Sequence, residues 1–194
     1  MEKRLFSACQ EGHIEVVKLL LHDNPQIDIN KADKYGQTPL YIACENGHIE
    51  VVKLLLNDRK VDVNKADNLD QTPFWIACEK GHIEVVKLLL NDGRVEVNQP
   101  NNNDETPLYT ACESGHTEIV ELLLKDEKIN RNNINFSIGW TPFCAACCLG
   151  HTEIVTLLQV TLSFIFKTRW ALKNMFFFKV YTLFFLYSFF FFFV

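Results

Sequence analysis

Apolar positions fall into a two-part pattern that recurs through the first 159 residues. In residues 33–66 a short block, Leu40, Ile42, Ala43 and Cys44, follows Thr38-Pro39. Threonine suits an N-cap and proline the first helical position, where a missing N–H costs nothing, so a short helix is predicted with small residues on one side. Gly47 is a helix stop able to take positive φ. Ile49, Val51, Val52, Leu54, Leu55 and Leu56 then predict a longer apolar helix, with Glu50 and Lys53 sharing its outer face. Asn57-Asp58-Arg59-Lys60 reads as a polar turn. Val61-Asp62-Val63-Asn64 alternates like a short extended segment, and the next Thr-Pro restarts the cycle.

The period is regular. Gly-His occurs at Gly12-His13, Gly47-His48, Gly81-His82, Gly115-His116 and Gly150-His151, in steps of 35, 34, 34 and 35 residues. Thr-Pro keeps the same beat at Thr38-Pro39, Thr72-Pro73, Thr106-Pro107 and Thr141-Pro142. A fixed period of this size predicts a stack of helical hairpins. One hairpin cannot bury its apolar face alone, so stability grows from the interfaces between neighbours. The expected units are residues 1–32, 33–66, 67–100, 101–135 and a shortened 136–159. Such an array is self-supporting and is expected to be monomeric.

These residues resemble the ankyrin repeat. The likeness rests on Asp33, Gly36, Thr38-Pro39-Leu40, Ala43, Asn46-Gly47-His48, Val51-Val52, Leu54-Leu55-Leu56 and Asp62-Val63-Asn64, and it returns in 67–100 and, with more changes, in 101–135. It implies an all-α solenoid of helix-turn-helix units with short hairpin-like loops. It also implies a non-catalytic interaction module that holds a protein through its hairpin tips and the exposed side of its first helices. The chain departs from the family in places. Tyr41, Trp75, Tyr109 and Cys144 stand where the family usually has histidine after Thr-Pro-Leu. The first unit has Lys3-Arg4 in place of Thr-Pro, and each unit runs a residue or two long, with the excess expected in the turn after the second helix.

The docking positions implied are Lys34, Tyr35 and Gln37, Asn68, Leu69 and Gln71, Asn102, Asn103 and Glu105, and Ser137, Ile138 and Trp140 at the tips. On the first helices they are Glu45 and Asn46, Glu79 and Lys80, and Glu113 and Ser114. Tyr41, Trp75 and Tyr109 form an aromatic row near this face. Two readings of the row stay open, since tyrosine and tryptophan are favoured anchors but can equally fill space between units. Asn64 resembles the acceptor in ankyrin segments that asparaginyl hydroxylases modify. The plainer reading makes it a turn residue, repeated as Asn30, Asn98 and Asn133.

Composition narrows the chemistry. The net charge is −5, but residues 160–194 hold Lys167, Arg169, Lys173 and Lys179 and no acid, which leaves residues 1–159 at −9. An acidic body argues against nucleic acid as a partner. No secretory signal is visible at the start, so free thiols in a reducing compartment are expected. Cys9, Cys44, Cys78, Cys112 and Cys147 share one repeat position, which is a packing position. The Gly-His histidines are expected to hydrogen-bond locally within the inter-helix turn, because equivalent residues on stacked hairpins do not converge as metal ligands must. Cys144, Cys147 and Cys148 form C-x-x-C-C without the second pair a zinc site needs. No catalytic residues, cofactor or metal are expected.

Residues 175–194, MFFFKVYTLFFLYSFFFFFV, are of another kind, and 12 of the 16 phenylalanines lie beyond residue 159. Twenty helical residues span about 30 Å, the thickness of the hydrocarbon core. With Lys179 as the only charge and three basic residues just before the span, this reads as a tail anchor that leaves the repeats in the cytosol. Translation of A/T-rich DNA past a frameshift would give the same run, and a folded hydrophobic cap is a third reading. As an alternative to a self-contained module, the chain could be the regulatory piece of a longer membrane protein of channel or acyltransferase type.

Overall fold

The computed structural model describes residues 1–133, 135 and 139–159. The chain divides into two compact units, Met1–Val155 and Thr156–Val194. In the first unit the helices come in pairs: α1 (Glu2–Gln10) with α2 (Ile14–Asp23), α3 (Pro39–Glu45) with α4 (Ile49–Leu56), α5 (Pro73–Lys80) with α6 (Ile83–Asn91), and α7 (Pro107–Glu113) with α8 (Thr117–Lys125). A further helix, α9 (Pro142–Leu149), opens the fifth hairpin, and residues 152–159 are also helical. No strand occurs among the described residues, only an isolated bridge between Asn135 and Trp140. The tail reading falls on residues 175–194, outside the described residues. Among the described residues no helix is long and apolar enough to cross a membrane.

The first helices of the second to fifth hairpins start as the Thr-Pro pair dictates. The hydroxyl of Thr38 accepts from the N–H of Tyr41 at 3.1 Å, Thr72 from Trp75 at 3.1 Å, Thr106 from Tyr109 at 3.2 Å and Thr141 from Cys144 at 3.3 Å. First helices pack on first helices and second on second. Ala43-Cys44, Ala77-Cys78 and Ala111-Cys112 are wholly buried at the first-helix contacts, where small side chains let neighbouring helices approach. Leu55, Leu89 and Leu123 fill the second layer, each worth roughly 1.5–3 kcal/mol for leaving water. The Glu15–Lys18, Glu50–Lys53 and Glu84–Lys87 pairs on the outer face are solvated and worth at most a few tenths of a kcal/mol each, so the apolar stripe decides where the second helix lies.

The alternating segment after the second helix is not a strand. Val61 and Val63 are buried and Asp62 is exposed, so the alternation marks burial without a ladder. Asparagines join these segments across units. Asn30 donates from Nδ2 to the Lys60 carbonyl (2.7 Å) and accepts from Asp62 N–H at 2.8 Å. Asn64 does the same with Arg94 and Glu96, and Asn98 with Lys128 and Asn130. The next residue in this register is Asn132, whose N–H is held by Asn130 Oδ1 as that of Asn64 is by Asp62. The expected equivalent, Asn133, is therefore one residue out.

The hairpin tips are organised by one side chain each. Asp33 Oδ1 accepts from the N–H groups of Tyr35 and Gln37, Asp67 Oδ1 from Leu69 and Gln71, and Asn101 Oδ1 from Asn103 and Glu105. Backbone bonds then stack tip on tip, Asn68 N–H to Tyr35 O at 2.9 Å and Asn102 N–H to Leu69 O at 3.0 Å. The position filled by Gly36 (φ +83°) is taken by Asp70 (φ +58°) and Asp104 (φ +62°) in the next two units. A left-handed L-residue stores roughly 1 kcal/mol of strain. Asp70→Gly and Asp104→Gly are each expected to stabilise the array by about 0.5–1 kcal/mol, read as a rise in the urea midpoint at unchanged slope. In the fifth tip, Asn135 bridges Trp140 across one residue more than Asp33 does with Gln37, so the last step of 35 arises in the tip.

Candidate protein-docking face

Turn chemistry within each hairpin is tied to the unit before it. The imidazole Nε2 of His48 lies 2.9 Å from the Gln10 carbonyl, that of His82 2.9 Å from Glu45, that of His116 2.8 Å from Glu79 and that of His151 3.0 Å from Glu113. A carbonyl only accepts, so Nε2 carries the proton in each. This corrects the expectation of local bonds: the histidines bridge units. The glycines complete the arrangement. A Cβ on Gly12, Gly47, Gly81 or Gly115 would come within 2.6–2.7 Å of the imidazole of the following unit. Glycine is needed there for its positive φ and also as the seat of the next histidine. Among the described residues no group of three or more His, Cys, Asp or Glu could hold a metal ion.

Burial decides between the two readings of the aromatic row, in favour of packing. Tyr41, Trp75 and Tyr109 are buried, with Trp75 only 4% exposed. The Tyr41 hydroxyl donates to Gln71 Oε1 at 3.1 Å, and Trp75 Nε1 to the Glu105 carbonyl at 2.8 Å. All three fill the space between units, Tyr41 and Trp75 also hold the base of the next tip, and none of them is on the surface a partner would touch. Burial pushes the Tyr41 hydroxyl far above the usual phenol range, with Asp67, Glu45 and Glu79 adding to it. Tyr109 is pushed up to about 12 by burial, then by Glu113 and Glu105.

What remains exposed is a tip row and a helix row. Lys34 and Tyr35, Asn68 and Leu69, and Asn102 and Asn103 are exposed at the tips, with Gln37, Gln71 and Glu105 half-buried below them. The Lys34 ammonium lies 4.6 Å from the centre of the Tyr35 ring. Trp140 is exposed, and Ser137 and Ile138 lie outside the described residues. On the helices, Asn46, Lys80 and Ser114 are exposed beside the half-buried Glu45, Glu79 and Glu113. The matching of the family model for ankyrin repeats (3 copies) to residues 3–67, 59–133 and 95–163 settles what kind of array this is.

The chain belongs to the ankyrin-repeat family. Ankyrin repeats are in general protein–protein interaction modules, and the family is typically non-catalytic. No curated protein matches the chain. Within this ankyrin array the glutamates form a carboxylate row on adjacent first helices, at a helix spacing of about 8–10 Å. Glu79 Oε2 is shut off from water and lies 2.9 Å from Lys80 Nζ without hydrogen-bond alignment. Burial raises the Glu113 carboxyl above its ordinary value, and Glu105 and Glu79 raise it further.

The Glu113 carboxyl costs stability. A carboxyl raised in the folded state is penalised once it ionises, so the cost is present at neutral pH and disappears as pH falls below the unfolded value. Glu113→Gln is expected to stabilise the free array by on the order of 0.5 kcal/mol at pH 7 after allowance for solvent screening, and by nothing near pH 3. Urea titrations of the two proteins at both pH values measure the difference.

Asn64 is half-buried with both amide atoms bonded to the next unit. The thiols Cys9, Cys44, Cys78 and Cys112 are buried and free, and burial alone pushes Cys9 up to about 12. Residues the sequence did not single out are Asp67, Asp70 and Asp104. The recurring Asp33, Asp67 and Asn101 position was visible, but the positive φ at 70 and 104 follows only from aligning them with Gly36.

Proposed function

We propose that this ankyrin array is a non-catalytic scaffold that docks a protein partner across its tips and first helices, and that the partner brings basic side chains to Glu45, Glu79 and Glu113. The observation that carries the reading is the carboxylate row itself, three acids at one register position on packed first helices, with Glu113 raised by burial and by Glu105 and Glu79. A lysine- or arginine-bearing partner removes that repulsion on binding. Tyr35 and Leu69, exposed on adjacent tips, supply apolar contact above the row. Such charge complementarity raises the association rate and makes binding salt-dependent.

The test compares two triple charge reversals of the tagged full chain. Glu45→Lys, Glu79→Lys and Glu113→Lys change the proposed face; Glu50→Lys, Glu84→Lys and Glu118→Lys change the outer face of the second helices. Partners recovered from native extract should be lost in the first protein, retained in the second, and released from wild type by moderate salt. Equal loss in both, or in neither, removes the acidic face from the reading.

We further infer that residues 175–194 tether the array to an intracellular membrane with the repeats in the cytosol. The length and apolarity of that run support this, together with the three basic residues preceding it. Carbonate extraction of membranes from cells expressing the tagged chain tests it, and recovery in the soluble fraction rejects it.

A further inference from the structure

The interface between units is used four times inside the chain, and each use consumes one imidazole and one glycine seat. Four seats, Gly12, Gly47, Gly81 and Gly115, are filled by His48, His82, His116 and His151. One of each is left over. The imidazole of His13 is exposed and makes no hydrogen bond among the described residues. Gly150, at φ +76°, meets nothing within 4 Å among the described residues, where the others meet a ring.

The packing faces around these two groups are unmatched in the same way. On α2, Val16 is 40% and Leu19 61% exposed, whereas Val51, Val85 and Ile119, the counterparts of Val16 in units with an upstream neighbour, are buried. On α9, Phe143, Cys144 and Cys147 are half-buried, whereas their counterparts Leu108, Tyr109 and Cys112, covered by a downstream unit, are fully buried. One end of the array is the upstream half of the standard interface, and the other is its downstream half.

We propose that the occupant of the α9 face is a second copy of this chain, docked head to tail, with its α1–α2 hairpin stacked on α9 and its His13 seated on Gly150. The argument is continuity with an interface already built four times in the same molecule. A single copy cannot satisfy both halves, because they lie at opposite ends of a stack. The contact is heterologous, so it leaves a free half at each end of the dimer and adds further copies as concentration rises. This departs from the monomer expected of a self-supporting array.

The test uses the full chain in mild detergent, followed by sedimentation velocity across a concentration series. Wild type should grow beyond a dimer as concentration rises. A variant blocked only at exposed positions, His13→Ala, Val16→Glu and Leu19→Glu, should remain monomeric alone. In excess over wild type it should cap growth and leave short oligomers. A variant blocked at the other end, Phe143→Glu with Cys147→Glu, should also be monomeric, and its equimolar mixture with the first should stop at a dimer. Circular dichroism checks that this second variant folds, and the first variant decides the matter if it does not. Wild type that stays monomeric overturns the proposal, as does an α2-blocked variant that associates like wild type. In those cases the α9 face is covered from within the chain, or another surface drives association.

Discussion

Trp75→Ala is expected to destabilise the array by about 3–5 kcal/mol, the usual cost of removing a large buried aromatic side chain. The ring is buried at the centre of the stack, between the unit that bears it and the tip that follows. Its loss leaves a cavity and also strips the Glu105 carbonyl of the donor that Trp75 Nε1 supplies at 2.8 Å. The measurement is the urea midpoint of the purified variant, with Tyr35→Ala as control. Tyr35 is exposed at its tip, so its removal should cost less than about 0.5 kcal/mol. The pair separates packing from docking: Trp75→Ala should lower stability first, and Tyr35→Ala should weaken partner recovery with little change in stability. A Trp75→Ala protein as stable as wild type would contradict the buried, bonded position described for the ring.

Gly81→Ala is expected to cost about 2–4 kcal/mol, far more than a methyl group on a surface turn would suggest. Two effects add. Gly81 sits at φ +80°, where an L-residue is strained by roughly 1–2 kcal/mol. The new Cβ would also lie 2.6 Å from His116 Cε1, so the ring must move and release the Glu79 carbonyl it bonds at 2.8 Å. A double-mutant cycle distinguishes the two contributions. In a His116→Ala background the steric part vanishes, and Gly81→Ala should cost only the conformational strain. If the cost is the same in both backgrounds, the ring is not what makes alanine intolerable.

The hairpin architecture was legible because local chemistry specifies it. Thr-Pro encodes a helix start through one side-chain oxygen and one fixed φ, and four such starts form as expected. Gly47 and its counterparts encode helix stops for equally local reasons. The longer apolar run encodes the second helix by periodicity. What the sequence hid was every property that depends on a residue some 30 to 38 positions away. His82 looks like a turn residue until the Glu45 carbonyl is placed beside its ring. Trp75 reads equally as anchor or filler until the next tip is seen to cover it. Asn64 gives no sign of its two bonds to the following unit, and the slip from Asn132 to Asn133 arose because Asn130-Arg131-Asn132-Asn133 offers several asparagines and only the cross-unit register selects one. The docking face was legible only as positions. Its acidic character followed once burial removed the aromatics and left Glu45, Glu79 and Glu113 as the helix row.

The column of cysteines gives the array a built-in ruler of its own opening. Cys9, Cys44, Cys78 and Cys112 place one buried thiol in each of four successive hairpins. A buried, protonated thiol is inert to alkylating reagents, and it reacts only when its hairpin lets solvent in. Because each hairpin touches only its neighbours, opening need not be uniform along the stack. Cys148, exposed on α9, should label at once and mark zero time. The order in which the four buried thiols follow, read peptide by peptide in a pulse-labelling experiment, would chart the direction in which the solenoid unzips without any engineered probe.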